Sequence, residues 1–112
     1  MKPGVYNIRP QRRADFLMNL VFKDSTGDAL DLTGWQVLAQ VWNKDRSTKY
    51  ADFIVTVLDA EEGTVQLKIP YYTTDDLPDE CRYDVMLISS GGIREYYLEG
   101  IVRPSEGYTA PA

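Results

Sequence analysis

The chain has 112 residues, 44% of them hydrophobic and 26% charged, which is the composition of a single globular domain with its own core. Its formal net charge of −5 argues against a nucleic-acid binder, because phosphate binding requires a cationic surface. The single cysteine, Cys81, excludes an internal disulfide, and the lack of a long apolar run or signal-peptide pattern predicts no membrane partner and synthesis in the cytoplasm.

The N-terminal segment, residues 1–13, is predicted to form a basic arm. It contains no acid and four basic residues, Lys2, Arg9, Arg12 and Arg13. Residues 5–8 are suited to a short edge strand that Pro10 ends. Two interpretations of the arm remain open: a solvated terminus, or a segment that docks on an acidic surface of a partner.

Most of the remaining chain alternates between apolar and polar residues with the period of two that indicates β-strands. The predicted strands are residues 14–23, 35–42, 50–58, 64–69, 81–88 and 93–103. Turn-forming clusters separate them, and the turn at residues 59–63 closes a hairpin. With short turns and no amphipathic helix, this pattern predicts an antiparallel two-sheet β-sandwich over residues 14–104, followed by an extended tail at 105–112.

One segment departs from the strand pattern. Residues 71–77 predict a helical turn that carries the chain from one sheet to the other, with Thr73 or Thr74 as its cap and Asp75 and Asp76 at its positive end.

The inward rows of the strands predict the core. We expect the following residues to be mostly buried: Phe16, Leu20, Leu32, Trp35, Val37, Val55, Leu67, Tyr83, Val85 and Leu98. The outward rows are unusually apolar, because they contain Leu17, Val21, Leu38, Ile54 and Leu58. Such outer faces are a hazard for a free monomer, so we expect other copies or partners to cover them.

Catalytic chemistry is not indicated. The chain has no histidine, which removes the usual general base and the commonest zinc ligand. Cys81 lies in an alternating strand and is expected to be a core residue. The acidic clusters at residues 59–62 and 75–80 fit solvated turns better than a metal loop or a glycosidase pair. We therefore predict no enzyme activity and no cofactor.

Aromatic residues on the predicted outer rows are candidates for binding. They could line a sugar-binding surface or serve as protein–protein anchors, and Trp42 could instead pack under its own loop at residues 43–49. Together with the basic arm they form the predicted interface set: Arg9, Arg12, Arg13, Trp42, Tyr71, Tyr72, Tyr97 and Tyr108.

Four segments carry a family resemblance: YNIRPQRRADFLMNLVFKDSTGDALDLTGW, DAEEGTVQLKIP, TTDDLPDECRYDVML and GIREYYLEGIVRP. They resemble the small immunoglobulin-like domain of tailed bacteriophages, best known as the N-terminal domain of baseplate upper proteins. The residues that match its turn and core motifs are Gly27, Asp31, Leu32, Thr33, Gly34, Asp59, Gly63, Val65, Leu77, Pro78, Tyr83, Val85, Leu98, Gly100, Val102 and Pro104. The resemblance extends from about Tyr6 to Pro104.

The resemblance implies an immunoglobulin-like sandwich of about seven strands and a structural role in a tailed-phage virion. The chain would be an assembly or adaptor subunit of the tail or baseplate, made in the cytoplasm of the host bacterium. Its partners would be other phage virion proteins, with several copies in a symmetric assembly. The alternatives are a capsid decoration (cement) or neck protein, and a module that binds glycans of the host surface. Family members are often the head of a longer chain, whereas this sequence stops after the domain, so we expect a free-standing virion subunit.

Overall fold

A computed structural model describes residues 3–107, which form eight strands and one short helix. The elements are β1 (Gly4–Val5), β2 (Phe16–Val21), β3 (Gln36–Trp42), β4 (Lys49–Asp52), β5 (Ile54–Asp59), β6 (Thr64–Ile69), α1 (Tyr71–Thr74), β7 (Cys81–Ile88) and β8 (Arg94–Val102). The prediction of an all-β protein with two sheets is confirmed.

The strands divide into a five-stranded sheet, in the order β1-β8-β7-β3-β4, and a three-stranded sheet, in the order β2-β6-β5. All neighbours are antiparallel except β1 and β8, which run parallel. The core comes from the inward rows of both sheets, and its fully buried members include Val41, Val65, Leu67, Ile69, Val85, Leu87 and Val102. The central strands β6 and β7 bury every second residue, as the alternation predicts.

The predicted long strand at residues 50–58 is wrong, because the chain changes sheet at Phe53. β4 before it pairs with β3 in the five-stranded sheet, and β5 after it pairs with β6 in the other. The Phe53 N–H donates to the carbonyl of Ala39 (2.9 Å), and its ring is buried beside Tyr83. The chain thus passes from one sheet to the other at a single buried aromatic residue. The alternation of period two continues on both sides of this residue.

The N-terminal segment packs on its own chain, so the interpretation as a solvated arm is wrong for residues 3–13. β1 pairs with β8, and Ile8, which is buried, continues the parallel pairing opposite Val102. The hydroxyl of Tyr83 donates to the carbonyl of Tyr6 at 2.6 Å. The N-terminal segment is therefore not a unit separate from the sandwich. Residues 105–107 of the predicted tail lie beside this segment, and Ser105 forms backbone hydrogen bonds with Pro10 and Arg12.

The predicted helical turn exists, but it begins at Tyr71, before the threonines that were expected to cap it, and other contacts stabilise it. Pro70 occupies the N-cap position and provides no side-chain cap. Instead, Asp15 Oδ1 accepts a hydrogen bond from the Tyr71 N–H (2.8 Å). The buried Thr74 hydroxyl donates to the Ala14 carbonyl (2.9 Å), so it ties α1 to the start of β2. The two aspartates that we expected at the positive end follow the helix instead.

The predicted core is confirmed, because none of the ten residues expected to be mostly buried is exposed. Five of the ten expected residues are buried, namely Leu32, Val37, Leu67, Tyr83 and Val85. The other five are only partly buried and pack against the core, namely Phe16, Leu20, Trp35, Val55 and Leu98. Phe16, Leu20 and Val55 lie on β2 and β5, the two edge strands of the narrow sheet, where one flank has no neighbouring strand to cover it.

Candidate interaction surfaces

The eight predicted interface residues do not converge on one site. Arg12 and Arg13 lie where the N-terminal segment meets the loop after α1, Trp42 ends β3, and Tyr71 and Tyr72 lie on α1. Arg9 is exposed and forms no ion pair within residues 3–107, and Tyr97 packs its ring edge-on against the buried Phe22 (6.0 Å between centroids). Tyr108 lies outside the described residues.

Arg12 and Arg13 already have acidic partners in their own chain. Arg12 pairs with Asp79 (3.1 Å) and Glu106 (3.4 Å), and it donates to two main-chain carbonyls after α1. Arg13 reaches Asp75 (3.4 Å) and Glu106 (3.5 Å). Both arginine side chains are largely buried, so their contacts hold the N-terminal segment to the sandwich. The basic and acidic clusters were visible in the sequence, but only the fold shows that they meet.

The outer face of the five-stranded sheet forms an open concavity of about 680 Å³, which we call the outer groove. Its lining residues include Leu38, Trp42, Asp84, Met86, Tyr96 and Glu99. The strand register arranges them in rows. Leu38, Met86 and Tyr96 form an apolar row, and Gln40, Asp84 and Glu99 form a polar row beside it.

Trp42 packs under its own loop, which was one of the two interpretations left open. Its indole Nε1–H donates to Gln40 Oε1 (2.8 Å). The guanidinium of Arg46 lies 4.7 Å from the ring centroid, a cation–π distance. The ring is half-buried, and it lines one end of the outer groove rather than projecting into solvent.

Two carboxylates face each other in the outer groove. Asp84 on β7 is directly opposite Glu99 on β8, and like charges in this position destabilise a sheet. Burial raises the pKa of Asp84, the charge of Glu99 raises it further, and Arg46 opposes both effects. Within the described part of the chain neither carboxylate forms a salt bridge. The groove therefore combines an apolar row with a facing pair of acids, and it is also lined by the basic side chains of Lys44, Arg46, Arg82 and Arg94.

The tyrosines of α1 form a separate feature. Tyr71 and Tyr72 are 57% and 63% exposed, and their rings contact each other edge-on with centroids 5.4 Å apart. Neither residue lines the outer groove. The aromatic residues that we considered for sugar binding are thus spread over α1, the groove and the core.

The outer face of the three-stranded sheet is as apolar as its sequence suggests. Leu17 and Val21 on β2 are 56% and 57% exposed, and Ile54 and Leu58 on β5 are 49% and 52% exposed. Cross-strand register brings Leu17 and Ile54 to opposite sides of the aliphatic stem of Lys68. The exposed apolar side chains therefore lie on the two edge strands of this face, on either side of the outer row Thr64, Gln66 and Lys68 of β6.

Comparison with protein-family models gives no matching family, and comparison with curated proteins gives no match. Among residues 3–107, no group of three or more His, Cys, Asp or Glu side chains is placed to hold a metal ion. No helix of that region has the length and apolar character to cross a bilayer.

Proposed function

We propose that the two sheets form an immunoglobulin-like sandwich. Such domains place strands B, E and D in one sheet and C, F and G in the other, with C′ added in the variable type. Taken in their order within each sheet, β2, β6 and β5 correspond to B, E and D, while β3, β7 and β8 correspond to C, F and G. β4 then corresponds to C′, and the two-residue β1 adds an eighth strand where we predicted about seven.

We further propose that the protein is a structural subunit of a tailed-bacteriophage virion, an assembly or adaptor component of the tail or baseplate. The observation that carries a binding role is the apolar outer face of the three-stranded sheet, with Leu17, Val21, Ile54 and Leu58 about half exposed. Exposed apolar side chains concentrated on one face of a sheet favour a protein interface. The assignment to a phage rests in addition on the resemblance of the turn and core motifs. The same features also suit a capsid decoration or neck protein.

The proposed partners are other virion proteins and further copies of this chain. The outer groove gives each copy a second contact surface, on the opposite side of the sandwich from the apolar face. A partner that inserts a lysine or arginine between Asp84 and Glu99 would relieve their repulsion, so such a contact favours orientation and partner choice. A subunit with contact surfaces on both sides can link two neighbours.

The test is incorporation into particles. A phage that carries a tagged copy of the gene in place of its own would be purified through a density gradient, and the tagged chain would be located in the particles by immunogold labelling. We expect label on the tail or baseplate. A chain that remains entirely in the particle-free fractions would contradict the proposal, and label on the head would favour the capsid alternative.

A matched pair of variants connects incorporation to the apolar face. Ile54→Lys places a charge within that face, whereas Ser25→Lys changes an exposed position in the turn after β2, outside the strands of that sheet. We expect Ile54→Lys to reduce incorporation and Ser25→Lys to retain it, with both variants equally stable in solution. Equal incorporation of the two variants would remove the apolar face from the proposed interface.

Glycan binding is the second candidate, favoured by Trp42 and Tyr96 beside carboxylates in the outer groove. Aromatic rings that stack on sugars and acids that bind hydroxyls are the usual elements of such a site. A glycan array separates the two candidates, because Trp42→Ala would abolish a specific signal and the assembly role predicts no signal at all.

A further inference from the structure

The edge of β2 differs from the other edges of the two sheets. β1 has only two residues, β4 carries Lys49 and Asp52, and β5 is interrupted by a bulge between Val57 and Asp59. These are devices by which natural proteins prevent strands from pairing across an exposed edge. β2 has the sequence FLMNLV, without a charge, a proline or a bulge, and its register with β6 is unbroken.

The main-chain groups on that edge are available for pairing. The Phe22 N–H donates to Gly63 on the β6 side (2.9 Å), and its carbonyl accepts from Leu30 on the same side. Because these groups alternate along a strand, those of Leu17, Asn19 and Val21 point to the opposite, free edge. In residues 3–107 no other segment forms a backbone hydrogen bond with them.

We propose that this edge pairs with β2 of a second copy, antiparallel and about a two-fold axis at Asn19. In this register Leu17 of each copy faces Val21 of the other, and the two Asn19 side chains face each other. Asp15 of each copy then faces Lys23 of the other, so both ends of the pairing carry opposite charges. The three pairs from Leu17 to Val21 exchange about six backbone hydrogen bonds.

Other registers fit worse. A shift by one residue places outer side chains opposite inner ones, which the buried face forbids. A shift by two in one direction places Asp15 opposite Val21, and in the other direction Leu17 opposite Lys23. Only the register centred on Asn19 matches apolar with apolar, amide with amide and acid with base.

The pairing joins two three-stranded sheets into one continuous six-stranded sheet and brings both apolar outer faces side by side. It rests on the proposed assembly from several copies, but not on the phage origin of the chain. Its test uses the isolated 112-residue protein, so its failure is distinguishable from a failure of particle incorporation.

The first experiment is disulfide trapping. The Cα atoms of a hydrogen-bonded antiparallel pair are about 5.5 Å apart, within the range of about 4.4–6.8 Å that a disulfide spans. Asn19→Cys should therefore form a covalent dimer under mild oxidation. The control is Thr56→Cys, because Thr56 lies in the same cross-strand row on the opposite edge of the sheet. Cys81 does not interfere, since it is buried and its pKa is raised to about 11 by that burial.

The second experiment is sedimentation of the unmodified chain and of charge variants. Lys23→Glu places a negative charge opposite Asp15 at both ends, and we expect the dimer dissociation constant to rise about tenfold from two weak ion pairs. Lys68→Glu is the matched control, because Lys68 lies on the central strand β6 and faces no second copy. We expect it to leave the dissociation constant unchanged.

Three results would overturn the proposal. They are equal cross-linking of Asn19→Cys and Thr56→Cys, equal effects of the two lysine substitutions, and a chain that stays monomeric at about 1 mM, where an association worth only about 4 kcal/mol is readily detected. If particles incorporate the chain and any of these results is found, the copies associate through another surface.

Discussion

Replacement of Gly100 by alanine tests how the N-terminal segment is held. A Cβ at this position would lie 2.0 Å from the Tyr6 carbonyl oxygen and 2.8 Å from the ring of Tyr83. Gly100 does not have a positive φ, so alanine fits the backbone of β8, and the conflict is with the packed segment and with the Tyr83 ring that contacts it. We expect the segment around Tyr6 to leave its place on β8.

The magnitude follows from the contacts that the segment makes. Exposure of the buried Ile8 side chain costs about 1.5–3 kcal/mol. Loss of the hydrogen bond from the Tyr83 hydroxyl to Tyr6 adds about 1 kcal/mol. We therefore expect Gly100→Ala to lower the free energy of unfolding by roughly 3 kcal/mol, a large part of the ~5–15 kcal/mol typical of a domain.

Urea denaturation measures this loss, and trypsin cleavage after Arg12 or Arg13 reports whether the segment has been released. Gly91→Ala is the matched control, because a Cβ there meets nothing closer than Ser89 Oγ at 3.8 Å and its φ is not positive. In a chain that lacks residues 1–9, most of the loss caused by Gly100→Ala should disappear. An unchanged unfolding free energy of Gly100→Ala, or an equal loss in the truncated chain, would refute the packing argument.

Three further predictions concern charge and core. The pKa of Asp84 is raised above its ordinary value of 3.8 in the folded state, so ionisation of Asp84 lowers the stability as the pH rises through the folded pKa. Asp84→Asn should therefore stabilise the protein by roughly 0.5 kcal/mol at pH 7 and not below pH 3.8, as denaturation at both pH values would show. Phe53→Ala should cost about 3–5 kcal/mol in the same assay while the exposed Leu58→Ala stays within about 0.5, and equal losses would contradict the sheet-crossing role of Phe53. Arg12→Ala should cost about 2 kcal/mol, because it removes charged hydrogen bonds to main-chain carbonyls, and Arg9→Ala should cost almost nothing; the reverse order would be incompatible with the observed contacts.

Local patterns in the sequence were sufficient for the strands and much of the core. The alternation in residues 64–69 and 81–88 predicts β6 and β7 closely, since these central strands have one face against the other sheet along their whole length. The hairpin between β5 and β6 follows from the turn residues that end at Gly63. Exposure of Leu17 and Val21 was also predictable, because a strand with a fixed inner row must turn its other row outward.

The placement of the candidate sites required the tertiary structure. The sequence shows a basic segment and an acidic segment, but it does not show that Arg12 forms ion pairs with Asp79 and Glu106. It shows eight tyrosines without indicating that Tyr97 packs inward. A bulge in the β7–β8 pairing, between Val85 and Met86, shifts the register there, and a period of two cannot anticipate such an extra residue.

By itself, the sequence determined that this chain forms strands, where most of them lie, and that one row of the outer sheet face is apolar, because those properties depend on neighbouring residues. Only the tertiary structure decided which strands share a sheet, where the chain crosses at Phe53, and that the N-terminal segment closes on β8. Those outcomes depend on contacts between residues far apart in the chain, such as Tyr6 with Tyr83. Such contacts do not show in the alternation of apolar and polar residues, since a buried ring or a glycine without a Cβ fits a residue that is distant in the sequence.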